Sequence, residues 1–370
     1  MIGSRRSTEL RPALGLMSGT SLDGIDVALL ATDGRRQVVA GPSLTLPYPD
    51  SFRERLRAVL GSVAPDAATV AVENELTRLH AEAVARFRLD YPDTAFDLVG
   101  FHGHTILHRP LEHRTWQLGD GALLARLVGV DVVADFRSAD VAAGGEGAPL
   151  APVYHAALAA ERAKPLAVLN LGGVGNVTWI GPGAKNGEDD ILAFDTGPGN
   201  ALIDDWARHH TGHAADFGGA LAASGRASPD HVARFLEHPY FARRPPKSLG
   251  RDDFRDFVPE GLGAADGAAT LTEMTAASVA AAARYFPLPA REWLVCGGGR
   301  HNPAIMTALS RRLDVPVRPV EAAGWEGDAL EAQAFAYLAV RSVAGLPLSL
   351  PATTGAPYPV CGGRLFPAAA

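Results

Sequence analysis

The chain has 370 residues, more than one ordinary hydrophobic core accommodates, so two domains are expected. Its composition, 47% hydrophobic and 20% charged, is that of a soluble globular protein with no low-complexity tract. A net charge of −7 with scattered basic residues argues against a nucleic-acid partner, and every apolar run is broken before it could span a bilayer.

Strands are expected near 12–18, 24–32 and 36–46, as a meander. Val72, Leu76, Leu79, Ala83 and Phe87 then recur at three- and four-residue steps, the apolar face of a helix. Strands at 96–101 and 116–118, a helix at about 119–129 and a Val-rich strand at 130–134 follow. This alternation marks an α/β sheet. Small residues at 141–152 (VAAGGEGAPLAP) read either as the crossover between lobes or as a surface loop with no hinge role. The opening pattern then returns, with a strand at 166–171, a turn at 172–175 (GGVG), strands at 176–180 and 191–195, and a helix from about 201. Each half thus begins with three strands, the first two joined by a Gly-rich turn, as a duplicated fold predicts. The stretch 238–267, rich in Pro, Gly and charge, reads as a loop that closes over a ligand. An Ala-rich helix (268–285), a strand (293–296), a helix (about 302–312), a strand (315–319) and a long helix (about 326–344) complete the second half. The expected lobes are 1–140 with a return of about 345–370, and 141–344.

The stretch 15–26, GLMSGTSLDGID, packs small residues into a turn between two strands. The amides and hydroxyls of Gly19, Thr20, Ser21, Leu22, Asp23, Gly24, Ile25 and Asp26 suit a phosphate, because such a nest concentrates positive potential without a cationic side chain. Asp23 or Asp26 offers hard oxygen ligands to magnesium arriving with phosphate. No Gly-Lys-Ser/Thr follows, and the next element is a strand, so this is not a P-loop. A phosphate cradle inside a β-hairpin points instead to the two-lobed, actin-like and hexokinase-like ATPase architecture (ribonuclease H-like, α/β), with nucleotide in the cleft between lobes.

Residues 194–200, FDTGPGN, put Asp195 at a strand end where a Gly-rich turn opens into a helix. Asp195 is then either a general base or the cap of that helix, and spacing alone leaves both open. Gly297, Gly298 and Gly299 follow a strand and give side-chain-free backbone for an adenine or ribose, and Asn302 suits a helix cap. Gly172, Gly173 and Gly197 lie in the other Gly-rich turns. His102, His104 and His108 share a strand face but have no cysteine nearby, so contact with a polar substrate fits better than zinc. Asp120 and Arg137 stand at element ends in the same lobe, each readable alone as a cap or a buried pair. Glu331 either stabilises a helix start or reaches into the cleft. Cys296 and Cys361 supply neither a disulfide framework nor a thiolate metal site, and no apolar leader opens the chain, which fits a cytoplasmic protein.

In this order the motifs 15–26, 101–110, 117–120, 135–137, 142–152, 170–176, 194–200, 297–302 and 328–339 resemble the anhydro-N-acetylmuramic acid kinase family over nearly the whole chain. The resemblance implies ATP and magnesium, and hydrolytic opening of 1,6-anhydro-N-acetylmuramic acid with phosphorylation at O6, in cell-wall recycling. It implies that Asp195 is the catalytic base, that residues 19–26 hold the ATP phosphates, and that 297–299 line the nucleotide. It places the loops at 101–110, 117–120 and 135–137 against the sugar, and it implies a homodimer. Two positions depart from the family pattern, His104 and Glu146, where Gln is usual. Glu146 is expected to add negative charge near the hinge or cleft and so to weaken ATP binding.

Overall fold

The computed structural model describes residues 10–19, 22–184, 190–250 and 253–368. Along β1 (Arg11–Met17), Ala13 and Met17 enter one apolar core while Leu14 and Leu16 enter another. A strand buried on both faces needs cover on each side. The chain supplies it with helices on both faces of two sheets.

β1 pairs antiparallel with β2 (Gly24–Thr32), and β2 with β3 (Val38–Pro47). Helices α1 (Asp50–Ala58) and α2 (Ala67–Asp90) follow, the second begun by a capping box between Asp66 and Thr69. β4 (Leu98–Phe101) lies parallel to β1, while β5 (His104–Arg109) and β6 (Arg114–Leu118) form a separate ribbon. After α3 (Gly121–Val128), β7 (Asp131–Ala134) runs parallel to β4. Short helices α4 (Ser138–Ala142) and α5 (Pro152–Leu158) make the crossover.

The second meander is β8 (Leu166–Leu171), β9 (Val174–Ile180) and β10 (Ile191–Pro198). Next come α6 (Ala201–Thr211), α7 (Ala220–Ala223), α8 (Pro229–Leu236), α9 (Pro239–Ala242) and α10 (Ala264–Ala282). β11 (Trp293–Cys296), α11 (Pro303–Leu313) and β12 (Val317–Pro319) extend the second sheet. The chain ends through α12 (Leu330–Val343), α13 (Pro351–Thr354) and β13 (Arg364–Phe366), which pairs with β7.

The sheet orders are β3-β2-β1-β4-β7-β13 and β10-β9-β8-β11-β12. In both, the order is third, second, first, fourth, fifth strand, with the second antiparallel to its neighbours. That is the ribonuclease H-like order, present twice, so the fold is the duplicated α/β ATPase class expected from the repeat. Helices α2 and α3 cover the outer face of the first sheet, and α6, α8, α10 and α11 that of the second. Between the sheets lie α5 and α12, in one apolar core fed by both.

Several boundaries differ from the sequence reading. β10 runs through Asp195 to Pro198, with a bulge between Asp195 and Gly197. The stretch 238–267 holds α9 and the start of α10, and the Pro/Gly-rich tail supplies an edge strand. Helix α12, grouped above with the second half, packs against β1, β2 and β4. The reason is steric: Gly15 and Gly100 present bare backbone to it, so close that a Cβ would sit 1.8 Å from the Ala332 carbonyl oxygen and 2.1 Å from that of Phe335.

Candidate active site

Four Gly-rich turns hold the expected nucleotide residues, each fixed by specific contacts. In the first, Leu22 N–H donates to the Gly19 carbonyl (3.2 Å) with Leu22 in left-handed backbone at φ 62. Thr20 and Ser21 lie outside the described residues. Ser18 before the turn sits in a buried chain: Tyr48 Oη donates to its Oγ (2.7 Å), which faces His104 Nδ1 at 2.9 Å. Gly24 lies against Leu46 and Ile25 is fully buried, so both shape the hairpin rather than offer side chains to a ligand. Asp23 is exposed, and Asp26 Oδ1 accepts from Thr45 Oγ1 at 2.6 Å.

Two of the others are joined to each other. The carbonyls of Gly172 and Gly173 accept from Asn200 and Gly199 N–H at 2.7 and 2.9 Å, binding the β8–β9 turn to the start of α6. A Cβ on Gly199 would meet the Gly172 oxygen at 2.2 Å, so only glycine fits there. Gly197 presses on Ser278, whereas a Cβ on Gly172 or Gly298 would meet nothing closer than 3.5 Å, which leaves open floor at both. Gly297 and Gly299 pack on Asn170, Leu171 and Asn200. Asn200 Oδ1 is buried without a hydrogen-bond partner among the described residues, a free acceptor beside this floor. Asn302 caps α11, as expected, through Ala304 and Ile305 N–H.

Asp195 is not a helix cap. β10 continues past it, and α6 begins at Ala201 with Asn200 before it. Its backbone is clamped, N–H donating to the Lys247 carbonyl (3.0 Å) and C=O accepting from Tyr240 Oη (2.5 Å). Its Oδ2 accepts from Leu249 N–H at 2.7 Å, and Oδ1 accepts no hydrogen bond among the described residues. Burial pushes its pKa up to about 7, the Leu249 N–H opposes this, and Glu146 and Asp253 add to it. A base with a pKa near the working pH combines ionisation with proton affinity. Lys247, which sequence reasoning passed over, is buried 4.2 Å from the Tyr240 ring centre; burial, then Arg284 and Arg243, lower its pKa to about 8.

On the first-lobe side, Arg137 donates through Nε and Nη2 to His102 Nε2 (3.2 and 3.0 Å) and through Nη1 to the Gly147 carbonyl (2.7 Å). Arginine only donates, so His102 Nε2 accepts and its Nδ1–H bonds the Gly103 carbonyl (2.9 Å). His102 is therefore neutral, its pKa held well below the usual imidazole value by burial and then by Arg137. Burial lowers Arg137 itself to about 10, a cation supported by Glu331 and Asp140. Glu331 Oε1 accepts from Asn170 Nδ2 at 3.0 Å, linking the start of α12 to the end of β8. Its pKa is raised, by burial first and then by Asp26, so these carboxylates share one electrostatic space. Asp26 is raised likewise, by burial and by Asp328 and Asp23.

Three expected substrate contacts also hydrogen-bond within the protein. Asp120 caps α3, its Oδ1 accepting from Leu123 N–H at 2.9 Å. His104 is wholly buried and its Nδ1 meets Ser18, while its Nε2 is buried without a hydrogen-bond partner among the described residues. His108 bonds Thr115 Oγ1 at 3.2 Å. The shared histidine face fails because β5 carries a register shift between Thr105 and Leu107. Glu146, expected near the hinge or cleft, accepts from Ser248 Oγ beside Asp195. Arg300 was also missed: it is buried and paired with Glu321 (2.8 Å) and Asp328 (2.9 Å), tying the Gly297 turn to the entry of α12. A cavity of about 240 Å³ beside His102, Gln117 and Asp135 includes neither Asp195 nor the glycine turns. Its lining draws on the 101–110, 117–120 and 135–137 loops of the first lobe.

The profile of the family described as anhydro-N-acetylmuramic acid kinase matches residues 11–368. The chain belongs to this family. Its relatives include anhydro-N-acetylmuramic acid kinases of Paramagnetospirillum magneticum, 60% identical over 95% of this chain and 98% of that one, and of Rhodospirillum rubrum, 57% identical over 96% and 94%. Among solved structures, a gluconate kinase from Lactobacillus acidophilus is similar at a TM-score of 0.44 and 10% identity, covering 91% of this chain and 90% of that one. Family membership makes the chain an ATP-dependent sugar kinase of the anhydro-N-acetylmuramic acid class, acting in cell-wall recycling. No helix among the described residues is long and apolar enough to cross a membrane.

Proposed function

We propose that Asp195 is the base of a coupled hydrolysis and phosphoryl transfer on 1,6-anhydro-N-acetylmuramic acid. The observation that supports it is the Asp195 carboxylate, one oxygen fixed by Leu249 N–H and the other unclaimed among the described residues, with a pKa near 7. Oδ1 takes a proton from water as its oxygen bonds the anomeric carbon. The bond from that carbon to O6 breaks, and O6 attacks the γ-phosphorus of ATP, releasing ADP and leaving N-acetylmuramic acid 6-phosphate. The proton on Asp195 returns to solvent. One carboxylate thus serves both bond changes, and the remaining work is alignment.

The sugar carries a lactyl carboxylate, and Arg137 is the cation placed to receive it. Its guanidinium is already planar and oriented by His102 and Gly147, so little side-chain entropy is lost on pairing. The glycine turns with Gly19 and residues 22–26, 172–173 and 297–299 are the walls proposed for the triphosphate and nucleoside, with Gly197 at the β10 end. No group of three or more His, Cys, Asp or Glu among the described residues is arranged to hold a metal ion by itself. Asp26, whose carboxyl is raised by burial and in part by the neighbouring Asp23, suits magnesium that keeps waters and shares phosphate oxygens. When bound, magnesium supplies charge neutralisation on the phosphates. The same membership supports a cytoplasmic homodimer.

The test is incubation of wild type and Asp195→Asn with ATP, magnesium and the anhydro sugar, following ADP and sugar phosphate. Wild type should form both in equal amounts, and the variant should be slower by about 10²–10⁴-fold, the usual worth of a general base. Formation of ADP without sugar phosphate, or an undiminished variant, would reject the assignment.

A further inference from the structure

We propose that Glu146 is a positioning residue for Asp195: its carboxylate grips Ser248 and thereby fixes the 247–249 segment that orients the base. This rests on Asp195 being the base, and goes beyond it. Glu146 Oε2 accepts from Ser248 Oγ at 2.5 Å. The next residue, Leu249, gives its N–H to Asp195 Oδ2 (2.7 Å), and the preceding one, Lys247, takes the Asp195 N–H (3.0 Å). The segment therefore runs between two carboxylates, 102 and 54 residues away along the chain, each holding successive positions.

Glu146 is itself firmly seated. Its N–H donates to the Thr354 carbonyl (2.6 Å), and the adjoining Gly147 N–H donates to Asp140 Oδ1 (2.7 Å). Asp140 Oδ2 accepts from the hydroxyls of Ser349 and Thr354, so the crossover loop is anchored to the segment around α13, just before it and at its last residue. A Cβ on Gly145 would collide with the Asp140 carboxylate, so the loop is built around this anchor. The route from anchor to base is continuous: Asp140, the 145–147 loop, Ser248, Leu249, Asp195.

A glutamine at 146 would keep the acceptor for Ser248 but not the charge. The charged groups facing Asp195 among the described residues are Glu146, Asp253 and Lys247, with the Tyr240 hydroxyl on its carbonyl. Glu146 therefore has two separable effects, a mechanical one through Ser248 and an electrostatic one on the proton affinity of the base.

The experiment measures amide hydrogen exchange at Leu249 and the pH profile of kcat/KM for wild type, Glu146→Gln, Glu146→Ala and Ser248→Ala. A hydrogen bond to a charged group is the restraint lost in both alanine variants, so Leu249 exchange should quicken about tenfold or more in each. Glu146→Gln should keep wild-type protection while the acid limb of kcat/KM moves to lower pH. Unchanged Leu249 protection in both alanine variants overturns the proposal, as does an unmoved acid limb in Glu146→Gln. Exchange needs no turnover, so it decides the positioning role even if wild type proved inactive on the sugar.

Discussion

At the scale of single residues, Asp195 combines proton affinity with strain on the folded state. Its folded pKa of about 7 stands above the ordinary 3.8, chiefly through burial. The folded protein thus holds this proton more tightly than the unfolded chain, and the contribution of Asp195 to stability falls as pH rises from about 4 to about 7. Above that window the native state bears the full cost of a desolvated charge. Asp195→Asn removes the charge, and the amide oxygen remains able to accept from Leu249 N–H. Its melting temperature should exceed that of wild type at about pH 8, and the difference should shrink toward about pH 5. A difference independent of pH would mean that the carboxylate is not desolvated. The sequence pointed to this residue through its Gly-rich strand end, but left base and cap undecided. What excludes the cap is the bulge that carries β10 on to Pro198, and a bulge has no sequence mark here beyond two glycines. Glu146 was legible as a departure from a family pattern, yet its partner Ser248 was not, because local periodicity says nothing about a contact spanning 102 positions.

Among elements, the strands of the two meanders were the most legible because they are apolar runs joined by Gly-rich turns, and their repetition exposed the duplication, whereas β5 and β13 were not read as strands. The placement of α12 was not legible. Its burial is nearly continuous from Ala332 to Val340, so no single apolar stripe tells which sheet it meets. The information lies elsewhere, in glycines at matching positions of two strands. Gly15 and Gly100 are neighbours in the β1–β4 register, and both would strike the helix backbone with a Cβ. Backbone cannot rotate aside as a side chain can, so the helix itself must move. Gly15→Ala and Gly100→Ala should each lower stability by about 3 kcal/mol, the upper range for overpacking, read as a drop in denaturant midpoint. Because one displacement of α12 relieves both clashes, the double variant should lose less than the sum. Additive losses would mean that the two glycines meet independent obstacles.

For the whole molecule, the same helix removes the independence that two lobes would otherwise have. α5 and α12 lie in a core fed by Ala13, Leu98 and Val133 of the first sheet and by Leu166, Val168 and Leu294 of the second. If either lobe unfolded alone, these helices would lose one wall and leave the inner face of the surviving sheet in water. The Glu331–Asn170 and Arg300–Asp328 contacts cross the same seam, as does the return of β13 to β7 after the chain has built the second sheet. Two-lobed enzymes commonly unfold in stages, since cooperativity needs a shared core. Here the core is shared, so calorimetry should give one endotherm whose van't Hoff and calorimetric enthalpies agree. Gly15→Ala, which displaces α12 from the first-sheet side within the shared core, should shift that endotherm without splitting it. Two resolved transitions in wild type would show that the inner layer belongs to one lobe energetically, and that the seam is an interface rather than a core.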